Sequence, residues 1–298
     1  MKTKRPRILF LSRKTRTVLM FNIPTYAILL VLTVFPMAYT FYVSLQKYDL
    51  TRPPNMFIGL GNYQYLLTTD VFWKSLRNTL VFTFSSLVLI FPTSLGLALL
   101  LNESIRGASK LRALIVTPWA IAPIVTGIIW AWIFESKYGI ANYLLRFLGL
   151  TPLLWLSSPT LAMLSVVVAR SWHEITFGTI MLLAGLQSIP LDMYEAAKVD
   201  GANALNRFLH ITLPLLRNYV AIILIFETMW CLREFPIIYA MTYGGPGTAT
   251  TVLGWLAYKL AFLYYDFGKG AAVAFMLGIL TMVLAVVFIK TIYRRIEY

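Results

Sequence analysis

Charge is the scarcest commodity in this sequence. Only 13% of its 298 residues are Asp, Glu, Lys or Arg, where a soluble domain carries about 25%. That deficit excludes an ordinary water-soluble surface. A single cysteine, Cys231, excludes an internal disulfide and any cysteine-rich metal site. Two histidines, His173 and His210, lie far apart and form no paired-histidine metal motif. No GxxxxGK[ST] phosphate loop is present, so the chain is not expected to bind and hydrolyse ATP itself. HExxH and GxSxG are missing too, and no motif supports a protease, esterase or other membrane enzyme. Acids are rarer than bases, 12 against 26, for a formal charge of +14. In a soluble protein that excess suggests nucleic acid. Here the bases flank apolar runs, so they read as topology signals, and no nucleic-acid partner is expected.

What is present is grease: 59% of the residues are hydrophobic. Six stretches have the length needed to cross hydrocarbon, about 20 residues each. They cover about 18–45, 79–101, 113–134, 159–184, 218–242 and 270–289. The expected fold class is therefore all-α: a polytopic membrane protein with six transmembrane helices, residues 18–298, preceded by a basic cytoplasmic tail, residues 1–17. The basic start followed by an apolar run is similar to a signal peptide. The uncharged run from Thr17 to Gln46 is too long for that, however, and has no clear small-x-small cleavage site. It reads as a retained span. The tail, with seven Lys or Arg and no acid, suits the surface of an anionic lipid bilayer.

Counting bases sets the orientation. With both termini in the cytoplasm, the inner segments hold sixteen Lys or Arg and the outer segments eight. The positive-inside rule favours that arrangement. It also puts the loop between spans four and five in the cytoplasm.

That loop, 190–214, is a polar island. Glu195, Lys198, Asp200 and Arg207 would each cost about 2.5–3.5 kcal/mol in hydrocarbon, so they lie in water or on a partner. Pro190, with Asp192 and Glu195 spaced as a loose capping box, marks a helix start. Gly201 marks its stop. A second turn pattern runs through Leu205, Phe208 and Leu209 until Pro214 ends or kinks it. The expectation is a helix-turn-helix projecting from the membrane.

The same stretch resembles the coupling loop of the membrane-spanning permease subunits of ABC importers. The matching positions are Glu195, Ala196, Ala197, Asp200, Gly201, Ala202, Phe208, Ile211, Leu213 and Pro214. Two weaker signatures, Phe57-Ile58-Gly59-Leu60-Gly61-Asn62-Tyr63 and Thr242-Tyr243-Gly244-Gly245-Pro246, resemble the sugar-importing, maltose-type or glycerol-phosphate-type branch. The resemblance implies a bacterial or archaeal cytoplasmic (inner) membrane. It implies partners: a second, different permease subunit, two ATPase subunits and an external solute-binding protein. It implies a sugar-like solute, ATP and Mg held only in the partner ATPase, and no cofactor in this chain. The rival reading is an ion-coupled secondary carrier of a small polar solute.

Ionisable groups inside spans usually face a cavity or a partner. Arg170, His173 and Glu174 share one face of span four at i, i+3 and i+4, with Trp172 beside them. Glu227, Trp230 and Glu234 are spaced to share a face of span five, with Arg233 about a quarter-turn away. Carboxylates, Arg and Trp supply hydrogen bonds for hydroxyls and flat faces for sugar C–H surfaces. These eight residues are the candidates for the substrate pathway. Arg170 and Glu174 could equally neutralise each other. Pro118 and Pro123 should kink span three. The aromatic band Trp255, Tyr258, Phe262, Tyr264 and Tyr265 reads as an interfacial anchor.

Overall fold

A computed structural model describes residues 13–51, 54–103 and 108–293. The expected basic tail falls largely outside these residues. In chain order the helices are α1 (Arg13–Leu29), α2 (Phe35–Ser44), α3 (Gly61–Thr68), α4 (Asp70–Asn102), α5 (Ala108–Val116), α6 (Pro123–Ile133) and α7 (Ile140–Phe147). There follow α8 (Pro159–Gln187), α9 (Leu191–Val199), α10 (Ala204–Arg207), α11 (Leu213–Leu232), α12 (Pro236–Met241), α13 (Leu253–Tyr258) and α14 (Phe267–Tyr293). One small exception to the all-helical expectation is an antiparallel pair of two-residue strands, β1 (Gln46–Lys47) and β2 (Met56–Phe57). Buried Asn62 secures it, donating to the carbonyls of Ser44 and Gln46.

Among the described residues four helices are long and apolar enough to cross a membrane, and six spans result if each of two bent pairs counts as one. Span three is one of those pairs, and its expected kink is a full break. Its axis turns by 101° between α5 and α6. A 3₁₀ turn, Thr117–Ala120, and extended Ile121 separate the two halves. Two prolines cause this. Pro118 and Pro123 lack the N–H that would continue the ladder, and a proline drives the residue before it to extended backbone. Ala122 has ψ 138°.

Span five differs from expectation at both ends. It is helical from Ala204 to Leu232 and stops there. Residues 233–235 are not helical, and Pro236 opens α12. Pro214 does not end the helix. The turn before it widens to a π turn, Phe208–Thr212, in which the Leu213 N–H reaches the Phe208 carbonyl. The same happens at Leu30–Val34, just before Pro36. A wider turn relieves the clash between a proline ring and the carbonyl four residues back.

The core forms around α4 and α8, the most extensive helix pair. On α4 the buried side chains recur every three or four residues and are small or hydroxylated at Ser75, Thr79, Thr83, Ser86, Ser94 and Ala98. Small residues let helix backbones approach where hydrocarbon offers no hydrophobic drive. Ser94 Oγ donates across the seam to the Ile175 carbonyl. One apolar cluster, including Leu182, Leu186, Leu216 and Ile223, joins α8 to α11 near the 190–214 loop. Another gathers Phe82, Val166, Ile237 and Trp255. Trp255 is therefore no interfacial anchor. It is fully buried and stacked on Phe235 at 6.2 Å, because α13 folds back onto the α8–α12 core. Phe262, Tyr264 and Tyr265 stay exposed. By contrast α1 and α2 show almost all their described large side chains to the outside.

Candidate functional site

The break of span three and the break of span five face each other across α8. Between them lies a cavity of about 360 Å³. Trp119 and Pro123 of the first break line one side. Trp230, Arg233, Glu234 and Pro236 of the second line another, and Arg170 and Glu174 of α8 form the floor.

Arg170 is the hub. Its Nη1 lies 2.6 Å from Glu174 Oε1 and 3.3 Å from Glu234 Oε2, and its Nη2 lies 3.8 Å from Glu227 Oε2. Three carboxylates thus surround one guanidinium, and all four side chains are buried. The helical spacing on α8 explains the Arg170–Glu174 pair. Glu234 arrives by another route. It is not on the face of α11 that its spacing from Glu227 implied, since the helix ends before it. It sits in the three-residue break, where its Oε1 accepts from the Ile237 N–H at 3.1 Å. That bond satisfies a donor at the start of α12. The two ends of Glu234 therefore join Arg170 to α12.

Of the eight expected pathway residues, five line the cavity: Arg170, Glu174, Trp230, Arg233 and Glu234. Glu227 stands behind the lining, fully buried, with the Arg170 charge 3.8 Å away. His173 bridges Glu174 Oε1 at 2.9 Å and the Ile121 carbonyl at 3.0 Å. Trp172 is turned away and packs edge-on to Trp130, 5.9 Å between centroids. Trp119 lines the site without having been singled out; the prolines around it were its signal. Trp230 is braced by Phe177, 4.9 Å away. The arrangement offers carboxylate acceptors and two indole faces to a polar solute. Among the described residues no group of three His, Cys, Asp or Glu side chains is placed to hold a metal ion.

The second candidate site is the 190–214 loop. The expected capping box is absent: α9 starts at Leu191 after Pro190, with no side-chain cap. Asp192 falls inside the first turn, where its charge still suits the helix N-terminus. The predicted stop is there. Gly201 has φ +80°, its N–H reaches the Lys198 carbonyl, and the Ala202 N–H reaches the Ala197 carbonyl. These two bonds make a Schellman closure, which requires the left-handed backbone that glycine adopts freely. Asn203 then caps α10, accepting from the Asn206 N–H at 2.8 Å. Tyr194 and Thr212 share a hydrogen bond of 2.9 Å, and Ile211 packs on the α8–α11 cluster. The loop is thus anchored at its base. Its rim is not covered: Leu191, Val199 and Leu205 are 74%, 89% and 63% exposed. Glu195, Ala196, Asp200 and Gly201 are exposed as well, Ala197, Ala202 and Phe208 are half-buried, and Leu213 and Pro214 open α11.

Residues 90–297 match the family profile described as binding-protein-dependent transport system inner membrane component. The trehalose/maltose transport system permease protein MalF of Thermococcus litoralis is 40% identical over 271 residues, 90% of each chain. The sn-glycerol-3-phosphate transport system permease protein UgpA of Agrobacterium fabrum is 33% identical, covering 88% of this chain and 90% of its own. Among solved structures, a chain of a bacterial ABC transporter that imports the acidic polysaccharide alginate superposes with a TM-score of 0.81. It is 22% identical and covers 96% of this chain and 98% of that one. Profile coverage, identity and fold agree: the chain belongs to the inner-membrane components of binding-protein-dependent transport systems.

Proposed function

We propose that this chain is one permease subunit of an ATP-driven sugar importer, and that the cavity between its two helix breaks is its share of the translocation path. The observation that carries this is the buried cluster of Arg170, Glu174, Glu227 and Glu234 beside Trp119 and Trp230. Buried charge in a span is costly and marks function. Broken helices at membrane depth line cavities. Glu174 Oε2 is buried without a hydrogen-bond partner among the described residues, an acceptor for a solute hydroxyl.

The solute is a sugar or sugar derivative, as the names of the relatives suggest. The chain itself does no chemistry. ATP and Mg are bound by two partner ATPase subunits, a different second permease completes the path, and an external binding protein delivers solute. The 190–214 loop is the contact with the ATPase, and the uncovered Leu191, Val199 and Leu205 are the surface that contact buries. Both termini face the cytoplasm. Closure of the ATPases moves the loop and biases the spans between two packings. The relatives do not favour an ion-coupled secondary carrier, which would need no ATPase.

The test is uptake by the assembled transporter with Glu227→Ala, Trp230→Ala and Glu234→Ala, beside its ATP hydrolysis. Loss of uptake with hydrolysis retained is expected. Normal uptake in all three removes the cavity from the path. Identification of the bound solute by mass spectrometry in the co-purified complex tests the sugar class.

A further inference from the structure

His173 touches the ionic cluster and the break of span three together. Its Nε2 lies 3.0 Å from the Ile121 carbonyl oxygen. A carbonyl only accepts, so Nε2 carries the hydrogen. Its Nδ1 lies 2.9 Å from Glu174 Oε1, which also accepts from Arg170 Nη1. Either both ring nitrogens are protonated against an ionised Glu174, or the second proton sits on the carboxyl. In both cases the Nε2–H to Ile121 is kept.

Ile121 needs that donor. It is the extended residue of the break, and the Val125 N–H, four residues on, turns to the Ala122 carbonyl instead. A second α8 side chain does the same one turn away, as Thr176 Oγ1 donates to the Ile115 carbonyl. The broken span is therefore pinned to α8 both before its bend and at it. Only the His173 pin is continuous with Glu174, Arg170, Glu234 and Glu227.

We propose that His173 is a positioning residue that fixes the span-three break against the carboxylate cluster, so that solute entering the cavity is felt at Trp119 and Pro123. The functional half of this statement rests on the cavity being the translocation path; the positional half does not.

Two substitutions separate the two contacts. A Gln amide reaches the place of Nε2 and keeps the tie to Ile121. An Asn amide reaches only the place of Nδ1 and keeps Glu174 alone. Both are made in the assembled transporter in lipid nanodiscs, in a Cys231→Ala parent. The thiol introduced by Ala122→Cys, beside Ile121, reports the break through its labelling rate with a methanethiosulfonate reagent. His173→Asn should raise that rate several-fold, and His173→Gln should stay within about twofold of the parent. Binding-protein-stimulated ATP hydrolysis and uptake should follow the same order. A raised rate with normal uptake upholds the positional tie and overturns the path reading. An unchanged rate in His173→Asn overturns the proposal. Equal increases in both variants do so too, as does a raised rate in His173→Gln alone.

Discussion

Gly127 packs directly against Ala240: a Cβ on Gly127 would lie 2.6 Å from the Ala240 Cβ and 3.1 Å from the Ile237 carbonyl oxygen. The contact joins α6 to α12, the parts of spans three and five that follow their breaks. These short helices are thus one packed unit hinged at two places around the cavity.

Gly127→Val should force that unit apart. Overpacking costs about 1–3 kcal/mol, and here the neighbours are a Cβ atom and backbone, neither of which can turn aside as a longer side chain can. The assembled complex should melt several degrees lower. Ala240→Gly should rescue Gly127→Ala in part, because it removes the nearer clash and leaves the carbonyl contact. Additive losses in that double variant would show that the two residues do not share a constraint.

Arg170 and Glu227 should respond unequally. Removing one partner of a buried ion pair costs about 3–5 kcal/mol, and Arg170→Met would strand three carboxylates at once. Yield of folded protein from membranes should collapse. Glu227→Gln keeps shape and hydrogen-bonding capacity. Neither oxygen of Glu227 has a hydrogen-bond partner among the described residues, and its contact with Arg170 is long at 3.8 Å. Yield should stay near normal. Equal losses in the two variants would mean that the cluster is not centred on Arg170.

Much of this site could be read from spacing alone. Arg170, His173 and Glu174 lie on one unbroken helix, so i, i+3 and i+4 placed them together correctly. Glu234 joins them at Arg170, which its spacing does not show. The interval from Glu227 to Glu234 implied a shared helix face, but Pro236 restarts the chain and turns the preceding residues into a hinge. That proline was the available signal. Trp255 shows the opposite limit. Its neighbours made a plausible interfacial belt, and only the packing of α13 against Phe235 reveals a core residue. Nothing in the local sequence carried the His173–Ile121 bond, which spans 52 positions and depends on the 101° bend.

Gly201 should tolerate Asn better than any other substitution. The position is open, with nothing within 4 Å of an added Cβ, so the cost is conformational. A left-handed residue other than glycine costs about 1–2 kcal/mol, and Asn suffers least. Gly201→Asn should co-purify with the ATPase subunits and transport. Gly201→Val should insert in the membrane but lose most ATPase co-purification. Gly201→Asp adds a charge beside Asp200 and should uncouple the complex. Intact transport in Gly201→Val would argue against the loop as the coupling element.

Glu135 follows α6, where its Oε2 accepts from the Lys137 and Tyr138 N–H groups at 2.6 and 2.9 Å. The Tyr138 N–H above all holds its carboxyl below the usual carboxylate range. A depressed pKa means that stabilisation is complete above the ordinary value near 4.5 and is lost as pH falls through the lowered one. Cleavage by pepsin in the 135–138 turn should therefore quicken on acidification below about pH 4. Glu135→Gln should flatten the part of that rise due to the turn. An unaltered profile in the variant would show that this carboxylate does not secure it.

Asn142 holds the rest of that segment closed. It is fully buried and makes four hydrogen bonds. Its Nδ2 donates to the Ser136 and Leu153 carbonyls at 3.0 and 2.9 Å, and its Oδ1 accepts from the Leu153 N–H and Trp155 Nε1 at 3.0 and 2.9 Å. Aspartate is nearly the same shape but puts an oxygen where two carbonyls need a donor. Leaving a buried polar group unsatisfied costs about 1–3 kcal/mol. Asn142→Asp should open 136–155 locally while the spans stay folded, and trypsin should cut at exposed Lys137 and Arg146 at least tenfold faster. Acid should slow the cutting relative to the parent, because a protonated carboxyl regains one donor. Applied to one face of sealed vesicles, the same digestion also reports the side of the membrane on which the segment lies. Cleavage as slow as in the parent would mean that α7 is held by its apolar contacts, with the asparagine only filling space beneath it.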